Sequence, residues 1–165
     1  MVEPGRSLVA TSGVLLSTVL GMKENGGEKF VVVDSSMTDL IRPALYSAYH
    51  HIVPVIIDDR LSSVITVVGP VCESADFLAK KITMQDTEVG DLVAVMDVGA
   101  YGSSMASNYN MRGRAMEVMV DGTTATVITN RETFQDMMNR FTIEEEKDEE
   151  KDKEEKEDST ETSEL

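Results

Sequence analysis

A mainly β domain, an antiparallel barrel or sandwich with a few short helices, is the fold class the sequence predicts, on three observations. Two hairpin signatures place turn residues between β-branched runs, three further apolar runs have strand length, and the segments with helical spacing are short. A chain of 165 residues suffices for one modest domain with a real core.

The first hairpin joins residues 13–22 to residues 29–33 through Asn25-Gly26-Gly27, which tolerates positive φ. Residues 40–49 carry apolar side chains near helical spacing, and Pro43 fits a helix only in its first turn, where its missing N–H is not needed. Residues 53–57 follow as a strand. Residues 64–71 are continuous and β-branched, which predicts a strand buried on both faces that runs directly into Cys72-Glu73-Ser74. Residues 91–96 give another strand after the Gly90-Asp91 turn, leading into Gly99-Ala100-Tyr101-Gly102 and a short helix around 103–106. Asp121-Gly122, between residues 117–120 and 124–127, marks the second hairpin. Residues 131–141 then read as a helix with Phe134, Met137, Met138 and Phe141 at i, i+3, i+4 and i+7, assigned to the core. No internal repeat is found.

Thirty acidic residues against 15 basic ones give a net charge of -15, which repels phosphate and argues against nucleic acid or an anionic membrane as partner. Thirteen of those acids, with four lysines, fall from Glu144 onward and carry no apolar periodicity. Residues 143–165 are therefore expected to be an acidic disordered tail, serving solvation or an interaction, with a solvated extension of the preceding helix as the alternative. Cys72 is alone, so no intramolecular disulfide forms, and a reducing, cytoplasmic compartment is expected. No Cys or His cluster has metal-ligand spacing, so no metal is expected. Neither a signal peptide nor a long apolar span is recognised.

Read from residues alone, Cys72-Glu73 is only suggestive. A cysteine after an apolar strand is commonly a small buried hydrophobe. Glu73 beside a buried strand needs a partner or a cationic ligand, and Arg6, Arg42 and Arg112 are available to it. Arg42 and Tyr46, one helical turn apart, could hold a carboxylate or make a routine surface contact.

Five segments in one order carry a more specific signal. They are Glu3-Pro4-Gly5-Arg6; Asp39-Leu40-Ile41-Arg42-Pro43-Ala44-Leu45-Tyr46; Gly69-Pro70-Val71-Cys72-Glu73-Ser74; Gly99-Ala100-Tyr101-Gly102; and Met105-Ala106-Ser107-Asn108-Tyr109-Asn110. Together they resemble the diaminopimelate decarboxylases, of the fold-type III, alanine-racemase-like class. The resemblance implies a C-terminal β-domain at residues 13–142 and a remnant of the last element of a TIM barrel at residues 1–12. It also implies pyridoxal 5'-phosphate as cofactor, meso-diaminopimelate as substrate, L-lysine and CO2 as products, and a dimer with active sites at the subunit interface.

By the same resemblance Cys72 is the catalytic acid, supplied across the interface to reprotonate the substrate carbon. A thiol suits that task because its pKa can be brought near neutrality. Arg6, Arg42 and Tyr46 bind the distal carboxylate, Glu73 meets the distal ammonium, and Tyr101 touches cofactor and substrate. Glu3, Pro4, Gly5 and Arg6 lie beside the cofactor phosphate. Ornithine decarboxylases typically have Cys-Asp at the position of Cys72-Glu73, so the arginine-rich set favours diaminopimelate.

The sequence departs from the family pattern at Ser35-Ser36, Ala75, Val98 and Met111-Arg112-Gly113-Arg114; Ala75 stands where glycine is usual, and a β-carbon is costly wherever φ is positive. The family's cofactor lysine and stacking histidine lie in the barrel, upstream of the motif that starts at Glu3. Lys80 and Lys81 read as solvated surface residues. The chain alone is therefore expected to be inactive, needing a barrel domain or a full-length decarboxylase subunit. The alternatives are a non-enzymatic module that pairs with and regulates such a subunit, and an inactive truncated remnant.

Overall fold

The computed structural model describes residues 1–142 of the chain, and the expected acidic tail lies outside them. Two short 3-10 turns, Arg6–Leu8 and Ala10–Ser12, precede β1 (Leu15–Asn25) and β2 (Glu28–Val33). There follow α1 (Arg42–Tyr46), β3 (Ile52–Pro54), β4 (Ser62–Val68), β5 (Phe77–Gln85), β6 (Leu92–Val95), β7 (Glu117–Asp121), β8 (Thr124–Thr129) and α2 (Phe134–Met138).

Six strands form one sheet in the order β3-β6-β1-β2-β4-β5, and its two edges, β3 and β5, pack on each other, so the sheet is a nearly closed barrel. The long β1 makes the corner. Leu15 to Thr18 pair with β6, whereas Val19 to Asn25 pair with β2, with a bulge between Val19 and Gly21 that turns the strand. Gly26 and Gly27 both have positive φ (59° and 78°), as a two-residue hairpin turn requires. Alternate residues point inward: Val31 and Val33 of β2, Ile65 and Val67 of β4, and Val93 and Val95 of β6 meet Val19, Leu40, Ile52 and Leu78 in the core.

One pairing differs from the antiparallel expectation. β2 and β4 run parallel, with Lys29 opposite Ile65 and Val32 opposite Val68, because the connection between them carries α1 and β3 across the barrel. β4 stops at Val68 and is covered on both faces only in its middle, at Ile65, Thr66 and Val67, while Val64 is exposed; Cys72 sits in the turn beyond it. β3 is three residues long; Ile56 and Ile57 beyond Pro54 are exposed.

β5 has no counterpart in the sequence reading. Its alternation is broken at Lys81, whose φ is +52° and whose N–H donates to the Thr66 hydroxyl instead of a ladder carbonyl. The second hairpin turns one residue later than expected: Asp121 pairs with Thr124, leaving Gly122-Thr123 as the turn, with Gly122 at φ +57°.

α2 starts at a capping box in which Thr133 and Asp136 bond each other's backbone N–H groups. It is only five residues long and buries Met137 alone among the four assigned positions; Met138 is half-buried, while Phe134 and Phe141 are exposed. A single turn presents one side chain to the core, which a longer predicted helix would not. Among the described residues no helix is long and apolar enough to cross a membrane.

Candidate functional site

The N-terminal turns and the loop after β6 are packed backbone to backbone. Gly99 N–H donates to Ala10 C=O at 2.9 Å and Val98 N–H to Gly13 C=O at 3.0 Å. A β-carbon on Gly99 would strike the Val9 carbonyl and the Gly13 amide, so glycine at this contact is a matter of space rather than of φ. Between the two segments opens a cleft of about 380 Å³, lined by Pro4, Gly5, Arg6, Ala100, Tyr101 and Ser103 among others. Tyr101 holds a left-handed backbone (φ +58°), unusual for tyrosine and a mark of local strain. Its hydroxyl lies close to Gly5, where a β-carbon would come within 3.4 Å of it.

Arg42 stands at the start of α1, with Pro43 in the first turn as expected. Its guanidinium carbon lies 5.7 Å from the Tyr46 ring centroid and 5.8 Å from that of Tyr101. Two aromatic faces thus hold the cation, which an aromatic quadrupole attracts without neutralising. Arg42 Nε is buried with no hydrogen-bond partner, and none of the ion pairs among the described residues involves Arg42. An oriented, unneutralised guanidinium is chemically suited to receive a planar anion. Tyr46 beside it is exposed, Arg6 is exposed on the lining of the cleft, and Glu3 is exposed at the N-terminal edge.

Cys72 and Glu73 occupy a turn between β4 and β5. Asp76, 5% exposed, organises that turn: one carboxylate oxygen accepts the Val71 N–H and the other the Met37 N–H, each at 2.7 Å. Gly69 packs flat on the same carboxylate, leaving no room for a side chain. Cys72 is exposed, not the buried hydrophobe that its position after an apolar run allowed. Ala75 is not among the residues with positive φ, so its β-carbon costs nothing here, and its N–H donates to Glu73 Oε1 at 3.1 Å.

The Tyr109 hydroxyl donates to Glu73 Oε2 at 3.0 Å. These two donors, first the Ala75 amide and then the Tyr109 hydroxyl, hold the Glu73 carboxyl below its ordinary range against a smaller opposing effect of burial. Tyr109 is in turn pushed up, chiefly by that hydrogen bond and the Glu73 charge, with a smaller contribution from nearby Cys72. None of the three arginines considered as partners reaches Glu73 within hydrogen-bond distance; Arg112 instead donates to the Asp34 carbonyl at 2.7 Å.

The candidate residues therefore form two groups. Gly5, Arg42, Tyr46 and Tyr101, with Arg6 along the cleft, make one; Cys72, Glu73, Tyr109 and Asp76 make the other, and the two share no residue. Asp76 and Tyr109 had no role in the sequence reading. The available signals were an acid four residues after Cys72 and a tyrosine within one of the five motif segments.

Residues 8–99 match the family described as "Pyridoxal-dependent decarboxylase, C-terminal sheet domain". The diaminopimelate decarboxylase of Neisseria meningitidis serogroup B is 50% identical over 138 residues, covering 84% of this chain and 33% of that protein. That of Aquifex aeolicus is 44% identical over 134 residues, covering 81% and 32%. The crystal structure of diaminopimelate decarboxylase from M. jannaschii in co-complex with L-lysine superposes with a TM-score of 0.82 at 43% identity, covering 86% of this chain and 32% of that one. The chain spans about a third of the length of these relatives.

Proposed function

Because the chain belongs to the pyridoxal-dependent decarboxylases through their C-terminal sheet domain, we propose that it supplies the substrate-recognition and proton-return groups of a diaminopimelate decarboxylase. The reaction is decarboxylation of meso-2,6-diaminopimelate to L-lysine and CO2. The observation that carries this reading is Arg42, a guanidinium flanked by two tyrosine rings with its Nε buried and unpartnered. A cation held between two rings with no counter-charge among the described ion pairs suits an anionic ligand.

The substrate carries a second amino-acid head, so its recognition needs a cation for the distal carboxylate and an anion for the distal ammonium. Arg42, with Arg6 and Tyr46, takes the first; Glu73, held by two neutral donors and kept ionised, takes the second. Pyridoxal 5'-phosphate, when bound, supplies the electron sink that allows a carboxylate to leave the α-carbon. Glu3, Pro4, Gly5, Arg6 and Tyr101 would hold it. Gly5, having no side chain, leaves the Tyr101 hydroxyl accessible from the cleft, and the orphaned Arg42 Nε sits behind the same ring. The lysine that anchors the cofactor and the histidine stacked on it belong to barrel sequence outside these 165 residues, and residues 1–12 are the end of that barrel.

Cys72 is the acid that returns a proton to the decarboxylated carbon. Its exposure makes it accessible to another subunit, and neither Glu73 hydrogen bond goes to Arg6, Arg42 or Tyr101; in this reading each chain of a dimer lends Cys72 and Glu73 to its partner's cleft. The compartment proposed is the cytoplasm.

The test is reconstitution. The chain is co-expressed with the barrel segment of a diaminopimelate decarboxylase, and CO2 release from meso-diaminopimelate is measured. Turnover should arise on combination, disappear in Cys72→Ala and fall in Arg42→Ala. No turnover on combination refutes the proposal, and full turnover with Cys72→Ala would make the chain a regulatory module instead.

A further inference from the structure

We propose that Tyr109 is a positioning residue for Glu73, fixing the direction in which that carboxylate faces and thereby selecting substrates that end in an ammonium group. The inference rests on the reading of Glu73 as the ammonium receptor and deepens it.

A glutamate on an exposed turn has three rotatable torsions and ordinarily samples many orientations, an entropy lost whenever it must grip a ligand. Here each oxygen is tied. Ala75 N–H holds Oε1 at 3.1 Å and the Tyr109 hydroxyl holds Oε2 at 3.0 Å, so the plane of the carboxylate is fixed and each oxygen keeps lone-pair capacity for another donor. Neither donor carries charge, and none of the ion pairs among the described residues includes Glu73. Orientation without neutralisation is what a receptor for a cation requires; an arginine in place of Tyr109 would orient the carboxylate and cancel it.

Tyr109 is itself held by a rigid segment. Asn108 donates through Nδ2 to the Arg112 carbonyl at 3.0 Å and to the Glu132 carboxylate, and accepts at Oδ1 from Arg140 at 2.8 Å. Ser107 N–H donates to the Thr38 carbonyl at 2.9 Å. Asn110 and Met111, next along the chain, are both left-handed (φ 56° and 53°). Two successive non-glycine residues in that region persist only where surroundings over-determine them, and such strain collects at sites that must hold one geometry. The raised pKa of Tyr109 agrees with a hydroxyl committed as donor to an anion.

The experiment has two readouts. In the chain itself, the Glu73 carboxyl is titrated by 13C NMR in wild type and Tyr109→Phe, which keeps the ring and removes only the donor. The Glu73 titration should move upward in the variant; an unmoved titration overturns the proposal. In the reconstituted enzyme, meso-diaminopimelate is compared with 2-aminopimelate, which keeps both carboxylates but lacks the distal amine. Tyr109→Phe should raise KM for meso-diaminopimelate roughly tenfold, the scale of one hydrogen bond to a charged group, with kcat little changed and 2-aminopimelate unaffected. Equal losses on both substrates, or a loss in kcat alone, overturn it. Absence of turnover in every combination would sink the proposed activity, while the NMR titration would still decide whether Tyr109 governs Glu73.

Discussion

Asp76→Asn should loosen the turn that presents Cys72 and Glu73, and the structure sets the scale. The carboxylate is 5% exposed and receives two backbone N–H groups at 2.7 Å, one from its own turn at Val71 and one from Met37 in the loop after β2. Asparagine keeps one carbonyl oxygen, but its amide nitrogen must then face the other N–H, so one bond is lost and one donor is left unmade. Hydrogen bonds to charged groups contribute about 1.5–3 kcal/mol and an unmade buried donor costs about 1–3 kcal/mol, so a loss of about 2.5–6 kcal/mol is expected from the two together. Urea unfolding followed by circular dichroism measures it, with Asp58→Asn as control, since exposed ion pairs contribute about 0–1 kcal/mol. Amide exchange at Val71 and Met37 should accelerate in the variant. A loss below about 0.5 kcal/mol with unchanged exchange at both amides would refute the assignment of Asp76 as organiser of this turn.

Two further predictions concern the framework. Gly99→Ala drives a β-carbon into the Val9 carbonyl and the Gly13 amide, backbone atoms that cannot swing aside, and should destabilise by about 1–3 kcal/mol or more in thermal denaturation; Gly21→Ala, which meets open space, should not. Asp39 has its pKa raised, chiefly by burial, against the opposing pull of the Ser36 amide bond and Arg112. A folded pKa above the unfolded value means that its contribution to stability is full below the unfolded pKa and is lost as pH rises through the folded one. The stability of wild type relative to Asp39→Asn should therefore decline from pH 3 to pH 7 in urea titrations; a flat or rising difference contradicts the sign.

The parts of this fold legible in the sequence are those set within a few residues. Gly26-Gly27 turns readily because glycine adopts positive φ at no steric cost, and Pro43 falls in the first turn of its helix because it breaks a helix interior. Pairing across the sheet is not local, so nothing near β2 announces that its neighbour is β4 or that the two run parallel. β5 escaped because the bulge at Lys81 breaks the period-two signal that would have revealed it. The same reasoning applies within the site. Arg42 and Tyr46 were legible as a pair because one helical turn joins them, whereas Tyr101 lies near Arg42 because β3, which follows α1, pairs with β6, which precedes Tyr101.

Glu73 marks the limit most sharply. Its sequence context called for a cation, because a carboxylate beside an apolar strand must be satisfied. The alternative, two neutral donors from Ala75 and Tyr109, satisfies the hydrogen-bonding demand equally and leaves the charge intact. A structural ion pair and a cation receptor thus share the same residue and the same motif. What separates them is which distant loop the fold delivers to the carboxylate, and here it delivers a hydroxyl.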